Sequence, residues 1–269
     1  MAFTRHKNIE YPQNKTSVLT LNLRFGLADD GINNWAFRKQ ALSPLFQKYR
    51  NDFIGLQEVN NFQADFIKDI LYGYNYIGKR DPAPQFWQSN VIFYKNTWKC
   101  IYYEHFYLSL TPHTPSRFRE SRWPRQCTLG IFEKNKLKLI CVNTHFDFKV
   151  SVQVESAKII MGRLSRLPAD IPVVVLGDFN ALPSSPAHMI FTGVNQTVSF
   201  KRSFLKNVFK KPFPCTHHKF TGNVEGDHID WILYSGNILL EECRVIYGTI
   251  NGFYPSDHFP VCAEFSWKQ

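Results

Sequence analysis

The sequence predicts an α/β domain of layered sheets and helices, on three observations. Short apolar runs rich in β-branched and aromatic residues recur along the chain, helical patterns lie between the early ones, and turns separate the late ones. Strands alternating with helices imply helix-covered sheets, and turn-linked late strands add antiparallel pairing.

The first run, SVLTLNLRF (17–25), precedes WAFRKQALSPLFQKY (35–49), whose spacing predicts a helix that Pro44 either starts or kinks. NDFIGLQEV (51–59) is the second strand and NFQADFIKDILYGY (61–74) the next helix. NVIFYK (90–95) and LKLICVNTHF (137–146) are again strands. Residues 152–167 place Ala157, Ile160, Met161, Leu164 and Leu167 on one helical face, and Pro168 closes the segment. IPVVVLGDFN (171–180) is apolar without alternation, which suits a strand covered on both faces. DHIDWILYS (227–235) and FPVCAEFSW (259–267) complete the set. Between them, KRDPAPQFWQS (79–89) and SLTPHTPSRFRESRWPRQC (109–127) are rich in proline and arginine and read as long loops, which commonly carry function.

With 269 residues, 44% of them hydrophobic, the chain supports a single domain over 1–269, with 1–15 as a flexible N-terminal extension. No run of about 18 apolar residues occurs, and MAFTRHKNIEYPQNK lacks the apolar stretch of a secretory signal, so the expected location is cytoplasmic. Six cysteines without CxxC spacing read as buried free thiols. Adjacent His217 and His218 read as a polar loop and not as zinc ligands. A net charge of +10 favours polyanions such as nucleic acid or anionic lipid headgroups.

The strand-like runs end in side chains that hold metals or phosphates. They deliver Asn22; Glu58; Asn143, His145 and Asp147; Asp178 and Asn180; Asp227, His228 and Asp230; and finally Asp257 and His258. Any one of these is an ordinary strand end meeting water, but six in one chain are not. Glu58 follows a strand that is apolar to Leu56, where a carboxylate is costly unless hydrated or paired.

In this order, LQEV, NTH, GDFNA, HIDWIL and SDHFPV resemble the endonuclease/exonuclease/phosphatase superfamily. LRFGLADDGINNWAFRK followed by GLQEVNNFQ is most similar to a little-characterised, mainly bacterial branch. The resemblance implies a four-layered α/β/β/α sandwich with two packed mixed β-sheets and a Mg2+-dependent hydrolase of phosphoester bonds, Mn2+ being the substitute ion. Glu58, Asn22 and Asp257 would hold the metal, Asn22 and Asp257 directly or through water. Asp178 would position or deprotonate the attacking water, Asn180 would orient it or hold a phosphate oxygen, and His145 would donate to another. His258 would contact the phosphate while its other ring nitrogen bonds Asp230. Arg125, in SRWPRQC, resembles a proline-arginine element of the bacterial branch and would neutralise the phosphate. His228 is either a second phosphate contact or a sheet residue, and Asp147 and Asp227 orient neighbours or face water. The NTH element leans away from abasic-site repair. Nucleic acid is the leading substrate. The alternatives are a small phosphorylated metabolite, an inositol phosphate or a phospholipid headgroup, and, in another class, an inactive phosphate-binding module.

Overall fold

The computed structural model describes residues 15–194 and 200–268; the expected N-terminal extension lies outside the described residues apart from Lys15. In chain order the elements are β1 (Lys15–Asn22), α1 (Trp35–Arg38), α2 (Leu42–Lys48), β2 (Phe53–Val59), α3 (Asn61–Ile70), β3 (Tyr74–Ile77), β4 (Ser89–Lys95), β5 (Lys99–Tyr107) and β6 (Gln126–Lys134). They continue with β7 (Leu137–His145), α4 (Val150–Leu164), β8 (Val173–Asp178), α5 (Pro186–Thr192), β9 (Lys206–Asn207), β10 (Asp230–Ser235), β11 (Ile238–Val245) and β12 (Val261–Trp267).

The strands form two six-stranded sheets, ordered β11-β12-β1-β2-β4-β3 and β5-β6-β7-β8-β10-β9. Each is mixed: β1/β2 and β7/β8 pair in parallel, and the other ladders are antiparallel. Three apolar clusters define four layers. One joins α1–α3 to the first sheet, one fills the space between the sheets, and one joins the second sheet to α4 and α5.

Side-chain alternation explains the layering. Along β8, Val173 and Val175 pack under the helices while Val174 and Leu176 pack against the other sheet. Along β1, Leu19 and Leu21 face helices and Val18 faces the other sheet. Both faces are therefore apolar, as the unbroken run over 171–180 predicts.

The pattern over 35–49 does not form one helix. It breaks into α1, a single 3-10 turn at Lys39–Ala41, and α2, with Pro44 in the first turn of α2, where its missing N–H costs nothing. The 109–127 loop is shorter than expected, because Gln126 and Cys127 already pair in β6. All six cysteines are free thiols, four buried and two half-buried. Among the described residues no helix is long and apolar enough to cross a membrane.

Candidate active site

Where the second sheet ends, its register lines up three polar residues. His145 pairs with Asp178 across β7/β8, and Asp178 pairs with Asp230 across β8/β10. Residues paired this way share a face, here the one turned to the first sheet. Gly177 permits this approach. With φ +148°, it lies so close to β7 that a Cβ would sit 2.0 Å from the Thr144 carbonyl oxygen.

The first sheet meets this row with Asn22, whose Nδ2 donates to Asp178 Oδ2 (2.9 Å) and to Glu58 Oε1 (3.2 Å). The Asn22 oxygen is occupied by the backbone N–H of Arg24 at 2.9 Å, which settles the amide's orientation. Asn22 therefore turns its NH2 group to the cluster, where it orients both carboxylates. By simple alternation Glu58 would share the helix-facing side with Leu56. An irregularity in the β2/β4 register and a φ of 59° at Glu58 turn it back, and its Oε2 accepts the Phe25 N–H at 2.7 Å. Arg24 (φ 59°) and Asn180 (φ 47°) also adopt left-handed backbone, so three residues at this edge carry strain of about 1 kcal/mol or more each.

His258 donates from Nδ1 to Asp230 Oδ2 at 2.8 Å, and its Nε2 lies 3.9 Å from Asp178 Oδ2. Burial works against a charged His258, but Asp230, Asp178 and Asp257 overcome it and raise its pKa to about 10. Burial raises Asp178 to about 7, with the His258 charge opposing and Asp230 adding to the shift. His145 is held neutral by burial, helped by Arg125 and His258. As a neutral ring it accepts from Asn180 Nδ2 at 3.0 Å, and Asn180 also donates to the Phe146 carbonyl. In this arrangement His145 orients Asn180, and its Nε2 also lies 3.4 Å from Asp178 Oδ2. The backbone N–H of Asn180 donates to Asp178 Oδ1 at 2.9 Å.

Asp257 lies 3.8 Å from Arg24 Nε and 4.0 Å from His217 Nε2. Burial would raise its pKa, but His258, Arg24 and His217 outweigh this and lower it. His217 is thus part of the site edge and not a detached polar loop. It forms an antiparallel bridge with His258, their rings 4.5 Å apart. His218 is the structural member of the pair, stacked on Phe259 at 3.8 Å. His228 stands apart: it is buried, its Nδ1 donates to the Pro214 carbonyl, and its ring packs on Phe209 and Phe213. Asn143 is buried between the sheets, Asp147 holds Ser121 and Arg125, and Asp227 is exposed.

Sequence reasoning missed two arginines. Arg24 grips Asp30 through two bonds of 3.0 and 2.7 Å and faces Asp257. Its place two residues past Asn22, just beyond the end of β1, was a usable signal. Arg38, almost fully buried, donates to the carbonyls of Leu23, Arg24 and Pro255, tying the loop after Asn22 to the loop before Asp257. Burial lowers its pKa to about 10. No local pattern announces this role.

Carboxylates and an imidazole–aspartate pair thus converge where the two sheets of a four-layered sandwich end. The profile of the Endonuclease/Exonuclease/phosphatase family matches residues 19–258, and the chain belongs to that family. Its members are hydrolases acting on phosphoester bonds and are generally dependent on divalent metals. The chain is similar to an endonuclease/exonuclease/phosphatase from Bacteroides vulgatus (23% identity, TM-score 0.85), over 95% of this chain and 100% of that one. It is also similar to the Bacteroides thetaiotaomicron mannosyl-6-phosphatase Bt3783 (25% identity, TM-score 0.82), over 94% of this chain and 100% of that one. D. rerio TDP2 complexed with single strand DNA product shares the fold at 16% identity and TM-score 0.72, over 94% of this chain and 99% of that one. No curated protein matches the sequence.

Proposed function

We propose that the chain is a divalent-metal-dependent phosphoesterase using Mg2+, with Mn2+ as substitute. The observation that carries this reading is the Asp230–His258 pair, whose free nitrogen faces Asp178 beside Asn22 and Glu58. The donors fit a hard dication: Glu58 is half-exposed at the mouth, Asp257 follows across Arg24, and carboxylate oxygens suit magnesium or manganese over zinc. Glu58 and Asp257 would hold the ion, with Asn22 steering Glu58. When bound, the ion shields phosphate oxygens and stabilises the leaving oxygen.

The protein's own groups cover the remaining steps. Asp178, with three donors nearby and a pKa raised toward neutrality, takes the proton of the attacking water. Asn180 fixes the direction of attack. His258, kept charged by Asp230, stabilises the negative charge that builds on the phosphate. Arg125 and Arg24 flank the carboxylates as further positive charges, which suits a phosphate monoester carrying two negative charges.

A phosphorylated small molecule bearing a sugar is the substrate class we favour over nucleic acid, supported by the full-length likeness to a mannosyl-6-phosphatase. The second reading, a nucleic-acid phosphodiesterase, is supported by basic residues stacked on tryptophans in the two long loops, Arg80 on Trp87 and Arg122 on Trp123. The test is turnover of para-nitrophenyl phosphate and its bis ester with Mg2+, Mn2+ and a chelator. Metal-dependent release is expected, the faster ester separating monoesterase from diesterase. No release with either ion would favour the inactive phosphate-binding module.

A further inference from the structure

We propose that Phe148, seated on Arg125, is a stacking platform for the ring-bearing part of the substrate. The inference rests on the phosphoesterase reading and names the substrate class. Phe148 lies three residues past His145, where β7 leaves the sheet, and is 69% exposed. Its ring packs on a guanidinium that is itself 8% exposed, with the Arg125 Cζ 5.6 Å from the ring centroid. Arg125 Nε is buried with no hydrogen-bond partner, and 3.7 Å separates it from Asp147 Oδ2. That carboxylate is held by Ser121 Oγ at 2.6 Å and, through Oδ1, by the Lys149 N–H at 3.0 Å, so the chain on both sides of Phe148 is anchored.

The Phe148 ring keeps a rigid backing and leaves its outer surface to solvent, beside a guanidinium whose buried Nε makes no hydrogen bond and whose ion pair with Asp147 is 3.7 Å long. A phosphoester whose phosphate reaches Arg125 and His258 would lay an adjoining ring on Phe148. A nucleobase would lay its planar π face on the ring and a hexose the apolar C–H face of its chair, and the arms of the experiment separate them.

The probes are a hexose 6-phosphate, a nucleoside 5′-phosphate and glycerol 3-phosphate, each also as its methyl diester. Phe148→Ala is expected to raise KM about ten-fold for the ring-bearing probes with kcat held, and to leave the glycerol probe unchanged. Phe148→Trp is expected to restore KM, and the melting temperature to stay put because the side chain is exposed. The larger KM change marks a sugar or a base as the natural ring, and equal changes mark either. Equal losses on all three probes, no loss on any, or parent turnover confined to glycerol phosphate would overturn the platform while leaving the phosphoesterase reading intact. Parent enzyme inert toward every probe and both nitrophenyl esters would overturn that reading and the platform with it.

Discussion

The space between the two sheets is built differently at its two ends. At one end it is dry and aromatic: Phe53 meets Phe132 at 4.8 Å and Trp98 at 5.1 Å, and Tyr94 meets Phe132 at 4.8 Å. Toward the other end the same strands turn polar. Asn143 Nδ2 donates across the gap to the carbonyls of Leu56 and Val91, both at 2.9 Å, and Gln57 Nε2 donates to Asn143 Oδ1 at 2.7 Å. Beyond that bridge lie Asn22, Asp178 and Asp230. The apolar end holds the sheets together by buried area, which tolerates repacking. The polar end holds them by buried hydrogen bonds, which set the separation between carboxylates and tolerate little. Stability and chemistry are thus assigned to opposite ends of one layer.

The greatest effect is expected at the polar end. Asp178→Asn should lower kcat/KM on the order of 10^3-fold while thermal melting stays close to the parent, and His258→Ala should lower it as far but melt earlier, because buried Asp230 loses its partner. Near-parental rates in either variant would remove these residues from the mechanism. The mirror experiment is Phe132→Ala, which should cost about 3–5 kcal/mol in chemical denaturation yet leave kcat/KM per folded molecule unchanged. A large activity loss there would mean that the two ends are not separable. Smaller still, Glu58→Ala should weaken activation by metal roughly ten- to hundred-fold, read from a Mn2+ titration of turnover and of binding. Asn143→Leu keeps the volume and strips donors from two buried carbonyls. It should cost about 1–3 kcal/mol and lower turnover as well, linking the two ends through the bridge.

The mildest test is pH. Turnover requires Asp178 without its proton and His258 with one, so rates should climb through about 7 and decline toward about 10. The stability signs follow from the same shifts. His258 is raised above its ordinary 6.5, so its stabilisation is complete below that value and is lost as pH rises through about 10. Asp178 is also raised, by burial, so its contribution fades between its ordinary 3.8 and about 7. Melting temperatures of His258→Ala should therefore lack the alkaline decline of the parent.

Legibility followed position in the sheets. Seven strands stood out as apolar runs, and all seven, β1, β2, β4, β7, β8, β10 and β12, are interior to their sheets. The four edge strands, β3, β5, β9 and β11, passed unnoticed. An edge strand such as KCIYYEHFY in β5 is largely exposed, so its pattern is mixed and nothing local separates it from a loop. Interior β6 was hidden for another reason: its first residues continue an arginine- and proline-rich stretch. Among site residues, those on interior strands were readable because a polar group ending an apolar run is unusual. His217 and Arg38 were not, since each owes its place to a partner far along the chain, His258 in one case and Pro255 in the other.

The amino-acid order by itself determined which strands are apolar on both faces and which residues lie at their ends, because burial and two-residue alternation are local properties. Only the folded chain decided that Glu58 turns out of its strand, that Asn22 presents its NH2 group and that His145 accepts from Asn180. These depend on ladder register, left-handed backbone and competing donors contributed by segments from 33 residues apart, as between Phe25 and Glu58, to 156, as between Asn22 and Asp178. Such choices arise only when the two sheets meet.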